Sequence, residues 1–233
     1  MSKLESSLKN MVITLLVITV VAGGALGYIY QLTKEPIEMA AIEKQQEAIQ
    51  VVVPEFDNNP AEELFQLTSE SGAKLNAFPA KMGGELVGVA VESVSNKGFA
   101  GEVKIMVGFK PDGTVIDYQI LDHQETPGLG TKMDDWFKPK VVEEGKSRSK
   151  FFDFLYGIKE SSGSDGNNIV GKNPGENNLT VTNDGGEVDA ITAATITSRA
   201  FLDAVNIAYK AFINDFENEE EQSIENKEEG GTQ

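Results

Sequence analysis

Apolar and small residues dominate the start of the chain, where 24 positions between Lys9 and Lys34 carry no charge. The run Met11 to Tyr30 is nearly continuous in such residues, and as a helix rising 1.5 Å per residue it reaches roughly 30 Å, the thickness of a bilayer core. Residues 11–32 are therefore predicted to form a transmembrane helix, with Tyr28 and Tyr30 at the interfacial belt. A cleaved leader is the competing reading, with Lys3 and Lys9 as its basic start and Ala22-Gly23-Gly24 as its cleavage site. Gly23 and Gly27 give the helix a small-residue face that admits a second membrane helix.

Beyond the apolar run, Thr33-Lys-Glu-Pro36 reads as a helix start, and Ile37, Ala40, Ala41, Ala48 and Ile49 share a face, which predicts a stalk helix over 33–54. From Glu85 the period shortens to two. Leu86 to Val91, Val103 to Val107 and Val115 to Ile120 predict three strands, with Pro111-Asp112-Gly113 as the hairpin turn between the second and third. Residues 161–187 are rich in Gly, Asn and Ser and predict long turns around short strands at Ile169-Val170 and Leu179–Val181. Helical spacing returns at Ile196, Ala200, Phe201, Ala204, Val205, Ala208, Ala211 and Phe212. From Glu217 the chain holds seven Glu and one Lys, too polar to bury a core, so 217–233 is expected to be a disordered acidic tail. The organisation is then an arm at 1–10, the membrane helix, the stalk and one domain over 55–216. Its class is α+β, a mixed domain with a β-sheet flanked by helices.

Composition narrows the chemistry. There is no cysteine and one histidine, His123, which excludes thiol catalysis, cysteine-held clusters and histidine-rich metal sites. A formal charge of -17 repels a phosphate backbone, so no nucleic acid is expected as a partner. The short basic arm should remain in the cytoplasm and the long acidic domain should lie on the periplasmic or outer side of the bilayer.

Two segments can carry function. In Asp189-Ala-Ile-Thr192-Ala193-Ala194-Thr195-Ile196-Thr197-Ser198 a loop enters a helix, where unpaired N–H groups, a positive dipole end and several hydroxyls converge. Such a point suits a phosphate, although simple N-capping by Thr195 or Thr197 explains the same residues. In Glu125-Thr126-Pro127-Gly128-Leu129-Gly130-Thr131 an open turn lies beside crowded polar groups, and its backbone can pack against a flat ligand. Trp136 and Phe137 read as core residues.

These two motifs carry a resemblance. The first is similar to the flavinylation signature Asp-x-x-Ser/Thr-Gly-Ala-Thr of the FMN-binding domain family, and the second resembles that family's other hallmark. Together with the membrane helix, they make most of the chain resemble the G subunits of the Rnf ion-translocating electron transport complex. The C subunits of the sodium-pumping NADH:quinone reductase are the near alternative. Ala193 stands where the signature has glycine, and its methyl could crowd the loop. The resemblance implies FMN joined through its phosphate to the Thr195 hydroxyl by an external flavin transferase, with Asp189 and Thr192 recognised by that enzyme. It implies Glu125, Thr126, Gly128, Leu129, Gly130, Thr131 and Lys172 near the ring, and Ala194, Ile196, Thr197 and Ser198 near the phosphate. It further implies a redox subunit of a translocase in the bacterial inner membrane, with membrane and iron–sulfur subunits as partners. A membrane-tethered module holding a ligand without a covalent bond is the alternative from another class.

Overall fold

In the computed structural model, which describes residues 8–139 and 165–229, five antiparallel strands form a meander whose spatial order is the chain order. The strands are β1 (Phe65–Thr68), β2 (Lys74–Met82), β3 (Glu85–Ser95), β4 (Val103–Phe109) and β5 (Val115–His123). Helix α1 runs Leu8–Val52, α2 is the single turn Met133–Trp136, and α3 runs Thr195–Glu229. The class is α+β, as the sequence predicts. Residues 1–7 of the arm, 161–164 of the turn-rich stretch and 230–233 of the tail lie outside the described residues.

Both faces of the sheet are covered, and alternation along the strands sorts residues between them. One face sends Val89, Val91, Ile105, Val107, Phe109 and Tyr118 into a core closed by Ala200, Phe201, Ala204, Val205, Ala208 and Phe212 of α3. Aromatic contacts tie it together: Phe201 stacks on Phe137 at 4.4 Å between centroids and meets Tyr118 edge-on at 4.7 Å. The other face packs Phe78, Ala80, Ala90 and Met106 against Ala48, Ile49, Val52 and Val53 at the end of α1. Two-sided burial is why β3 and β4 read as near-continuous apolar runs rather than strict alternation. The approach on this second face is very close. A Cβ built on Gly108 would lie 1.7 Å from the carbonyl oxygen of Val52, so only glycine lets the helix end settle on β4.

Four expectations need correction. Pro36 does not open a second helix; it lies inside α1, which continues through it. The missing N–H removes one hydrogen bond, and the flanking turns carry the helix across. Ile169-Val170 is not a strand, and Val181 forms only an isolated bridge with Val188, because this segment spends its backbone groups on tight turns such as Lys172 N–H to Ile169 O. The backbone of α3 stays helical to Glu229 instead of loosening at Glu217; the segment is rich in good helix formers and the next glycine is Gly230. Finally, β1 and β2 add to the three strands that the pattern predicts. Pro79 masks β2, and it is tolerated because β1 pairs only with Lys74–Ala77, which leaves Pro79 on an open edge where Asn58 Nδ2 donates to its carbonyl at 2.9 Å.

The apolar part of α1 is long and apolar enough to cross a membrane. Its threonine hydroxyls are satisfied within the helix: Thr14 donates to the Asn10 carbonyl at 2.8 Å and Thr19 to the Leu16 carbonyl at 2.9 Å. Neither of these threonine hydroxyls is thus left bare toward lipid. Around Gly23, Gly24 and Gly27 there is open space.

Candidate functional site

Strand β5 ends at His123, and the chain turns back at once. The Glu125 N–H donates to His123 Nδ1 at 3.1 Å, which fixes the ring proton on Nε2. Thr126-Pro127-Gly128-Leu129 then closes a turn through Leu129 N–H to Thr126 O at 3.1 Å. Gly128 has φ 77°, so proline followed by a left-handed glycine makes this a type II turn. Thr131 Oγ1 accepts from the Gly128 N–H at 2.9 Å and holds the turn onto the following 3₁₀ turn.

The second motif is a turn as well. Ala194 N–H donates to Ile191 O at 2.9 Å, and Ala193, at the third position, has φ 63°. Among the described residues it is the only non-glycine with positive φ. The methyl group does not crowd the loop, since Ala193 is exposed; its cost is conformational, about 1–2 kcal/mol for the left-handed backbone. Ala193→Gly should therefore stabilise the domain by about 0.5–1 kcal/mol, the relief being offset in part by the freer unfolded glycine. A urea midpoint that stayed level or fell would refute this.

Helix α3 begins directly after the turn. The Ser198 N–H donates to Ala194 O at 3.0 Å, so Ala194 is the N-cap and Thr195, Ile196 and Thr197 form the first turn. Alanine is among the poorest caps because it offers no acceptor. The capping reading of the sequence does not hold: Thr195 is already helical, and the Thr197 hydroxyl donates to Glu125 Oε2 at 2.5 Å. The N–H groups of residues 195–197 have no partner among the described residues. Ser198 stitches the turn to the helix, its Oγ accepting from Ile191 N–H at 2.9 Å and donating to Ala194 O at 3.0 Å. Arg199 is held by Asp184 through bonds of 2.6 and 2.8 Å, which keeps the Asp184 carboxyl below the usual carboxylate range.

Glu125 joins the two motifs. Only 5% exposed, it accepts from Thr197 through Oε2 and from the Ala100 N–H at 3.2 Å through Oε1, so the β3–β4 loop, the Pro-Gly turn and the start of α3 meet on one carboxylate. Glycines make room for it: a Cβ on Gly130 would sit 2.7 Å from that of Glu125, and one on Gly98 would sit 2.8 Å from Oε1. Glu125→Ala leaves the buried Thr197 hydroxyl unpaired and releases the exposed Ala100 N–H to solvent, and should cost about 2 kcal/mol, read as a lower urea midpoint with the slope unchanged.

The loop before the turn is anchored by backbone. Asp189 N–H donates to Gly166 O at 2.8 Å, and its carbonyl accepts from Trp136 Nε1 at 2.9 Å, while the side chain is exposed. Trp136 is thus a half-buried brace beside the motif, and Phe137 is core. The Tyr118 hydroxyl, whose pKa burial pushes up, donates to Met133 O at 2.7 Å and so seats α2. Thr192 is exposed and Thr195 half-buried. Lys172 is not brought to this place. Its carbonyl accepts from Val115 N–H at the start of β5, a strand length of roughly 30 Å from Glu125.

Residues 98–210, from the β3–β4 loop into α3, match the FMN-binding domain. The G subunit of the ion-translocating oxidoreductase complex of Vibrio vulnificus is 31% identical over 198 residues, 83% of each chain. The chain belongs to this family of G subunits. The Vibrio cholerae member is 28% identical over 91% of each chain. The G subunit of the Na(+)-translocating ferredoxin:NAD(+) oxidoreductase complex of Acetobacterium woodii is 29% identical over 86% of this chain and 89% of its own. The match to the FMN-binding domain includes every element of this family member that meets at Glu125.

Proposed function

We propose that this chain is a single-pass electron carrier of an Rnf-type ion-translocating ferredoxin:NAD oxidoreductase in the bacterial inner membrane, with FMN held covalently on Thr195. The observation that carries the reading is the start of α3, where an alanine N-cap leaves three amide donors beside a half-exposed threonine hydroxyl. A phosphate on that hydroxyl receives the N–H groups of Thr195, Ile196 and Thr197 and the positive end of the helix. These residues fit the group. Bound FMN supplies one- and two-electron transfer, chemistry that a chain without cysteine does not offer from its own side chains.

The chain's contribution is to hold and orient. Glu125 and Ser198 fix the helix start against the Pro-Gly turn, and Thr126, Gly128, Leu129, Gly130 and Thr131 lie where that turn borders the ring. Attachment is transfer from FAD by an external transferase with a divalent cation. The Thr195 Oγ1–phosphorus bond forms, the pyrophosphate bond breaks, and AMP and the hydroxyl proton leave. Exposed Asp189 and Thr192 present the loop to that enzyme. Partners are the membrane and iron–sulfur subunits of the complex, and the domain faces the periplasmic or outer side. Mass spectrometry of the Thr195 peptide from the native host tests the reading: an FMN increment supports it, and an unmodified peptide in a flavin-competent cell refutes it.

A further inference from the structure

The ladder between β2 and β3 ends before the strands do. Its last pair is Ala77↔Val91, although β2 reaches back to Lys74 and β3 runs on to Ser95. The far edges of both overhangs are taken, Lys74–Ala77 by β1 and Glu92–Ser95 by β4. Their near edges face each other across a fork. Alternation decides which backbone groups point into it. Pro79 has no N–H to give, so Pro79↔Val89 is a non-bonded pair and the bonded pairs toward β3 fall on even positions of β2, such as Phe78↔Ala90. The bond from Ser69 N–H to Ala73 O, at 2.9 Å, gives the odd positions to β1 in agreement. The backbone groups of Lys74 and Asn76 on one side, and of Glu92 and Val94 on the other, thus point into the fork. Asn76 and Glu92, next in that register, form no ladder pair and meet through side chains, Asn76 Nδ2 donating to Glu92 Oε2 at 3.5 Å.

The fork opens into a cleft of about 410 Å³, lined by both overhangs and by Ser69, Lys97, Lys104, Asp203 and Ile207. That volume is of the size that takes a ligand. Two facing rows of unused backbone donors and acceptors suit one kind of ligand, an extended chain that continues the ladder. Charge narrows the choice. The whole chain has 37 acidic against 20 basic side chains, whereas this cleft has Lys74, Lys97 and Lys104 against Glu92 and Asp203. Glu92 and Asp203 are already bound to Lys104 and Lys97, while Lys74 is exposed with no ion pair among the described residues. A second copy of the chain would bring a charge of -17 to a molecule of the same sign. We propose that the fork receives an extended acidic segment of a neighbouring subunit of the complex, which pairs with Glu92 and Val94 and sets a carboxylate beside Lys74. The docking goes beyond the flavin chemistry: it requires assembly with other subunits and not attachment at Thr195.

The test compares the complex purified in detergent with the full chain purified alone. Amide exchange in peptides spanning 74–76 and 92–95 slows about tenfold in the complex, because the fork-facing N–H groups are then bonded. A zero-length carbodiimide joins Lys74 to an Asp or Glu of another subunit, identified by mass spectrometry of the linked peptides. Val94→Pro deletes one N–H that faces the fork and spares the bonds to β4, so the chain folds and most of the Lys74 link is lost. Exchange and cross-linking in the unmutated complex decide the matter even where that variant does not fold. Equal exchange in the two preparations overturns the docking, and a folded Val94→Pro chain with an undiminished link overturns the strand pairing. A Lys74 that links to no acid, or only to acids of this chain or of a second copy, overturns the acidic neighbour. None of these readouts involves FMN, so a Thr195 peptide without it refutes the attachment and leaves the docking standing.

Discussion

Thr195→Val removes all covalently held flavin and leaves the domain folded. Valine keeps the branched shape of threonine and deletes only the hydroxyl, so the helix start retains its packing. The Thr195 hydroxyl has no hydrogen-bond partner among the described residues and the side chain is half exposed, so stability should move by no more than about 0.5 kcal/mol. Attachment, by contrast, is all or none, since no other atom of this side chain can form a phosphoester. Intact mass after denaturation reads the result, with the urea midpoint as the measure of folding. Thr195→Ser keeps a hydroxyl at the same point and retains the increment. A Thr195→Val protein that stays yellow after denaturation would move the linkage elsewhere, with exposed Thr192 the first place to look.

Gly108→Ala produces the largest loss of stability among single-methyl changes. The added carbon would lie 1.7 Å from the Val52 carbonyl oxygen and 2.6 Å from its carbon, both backbone atoms that no rotamer change can move. Either the end of α1 lifts from β4, exposing Ala48, Ile49 and Val52, or the strand bends away from its neighbours. Overpacking ordinarily costs about 1–3 kcal/mol, and a backbone obstacle on a buried face puts this case at the top of that range, about 3 kcal/mol. Gly88→Ala is the graded comparison. Its nearest obstacles are 3.1 Å and 3.2 Å away, both side-chain atoms, so about 1 kcal/mol is expected. Gly24→Ala, with open space around it, should change nothing. Urea unfolding in detergent ranks the three, and a Gly108→Ala midpoint equal to wild type would show that the helix end does not bear on β4.

The outline of the fold is legible in the sequence because its periods are clean where burial is simple. Val103, Ile105 and Val107 keep a period of two toward the main core although Met106 is buried on the other face, Val115 to Ile120 can be followed in the same way, and Ala200 to Phe212 repeats at helical spacing. Residues 65–82 escape the pattern for physical reasons: β1 has only four residues, and Pro79 breaks the usual rule for strands at a place where an edge forgives it. At the candidate site the two motifs are visible separately. Their union through Glu125 and Thr197, 72 residues apart, leaves no trace in local spacing. Lys172 shows the converse, since the resemblance places it near the ring, whereas its carbonyl receives the Val115 N–H at the start of β5. Ala193 is legible as a departure but not as a strained one, because the cost lies in a dihedral angle rather than in contacts.

Strand order that equals chain order has a bearing on biogenesis. Each pairing in the meander closes only a short segment, so the entropy lost at each step is small and the ladder can zip progressively from β1 to β5. All five strands have been synthesised once the ribosome passes His123, more than seventy residues ahead of Thr195. The helix start proposed to receive the nucleotide is therefore completed last, when the terminal helix closes over the ladder. On the proposed attachment, loading with FMN would be a late event in the life of the nascent chain, and variants that delay docking of that helix should accumulate as colourless protein whose main core is still open.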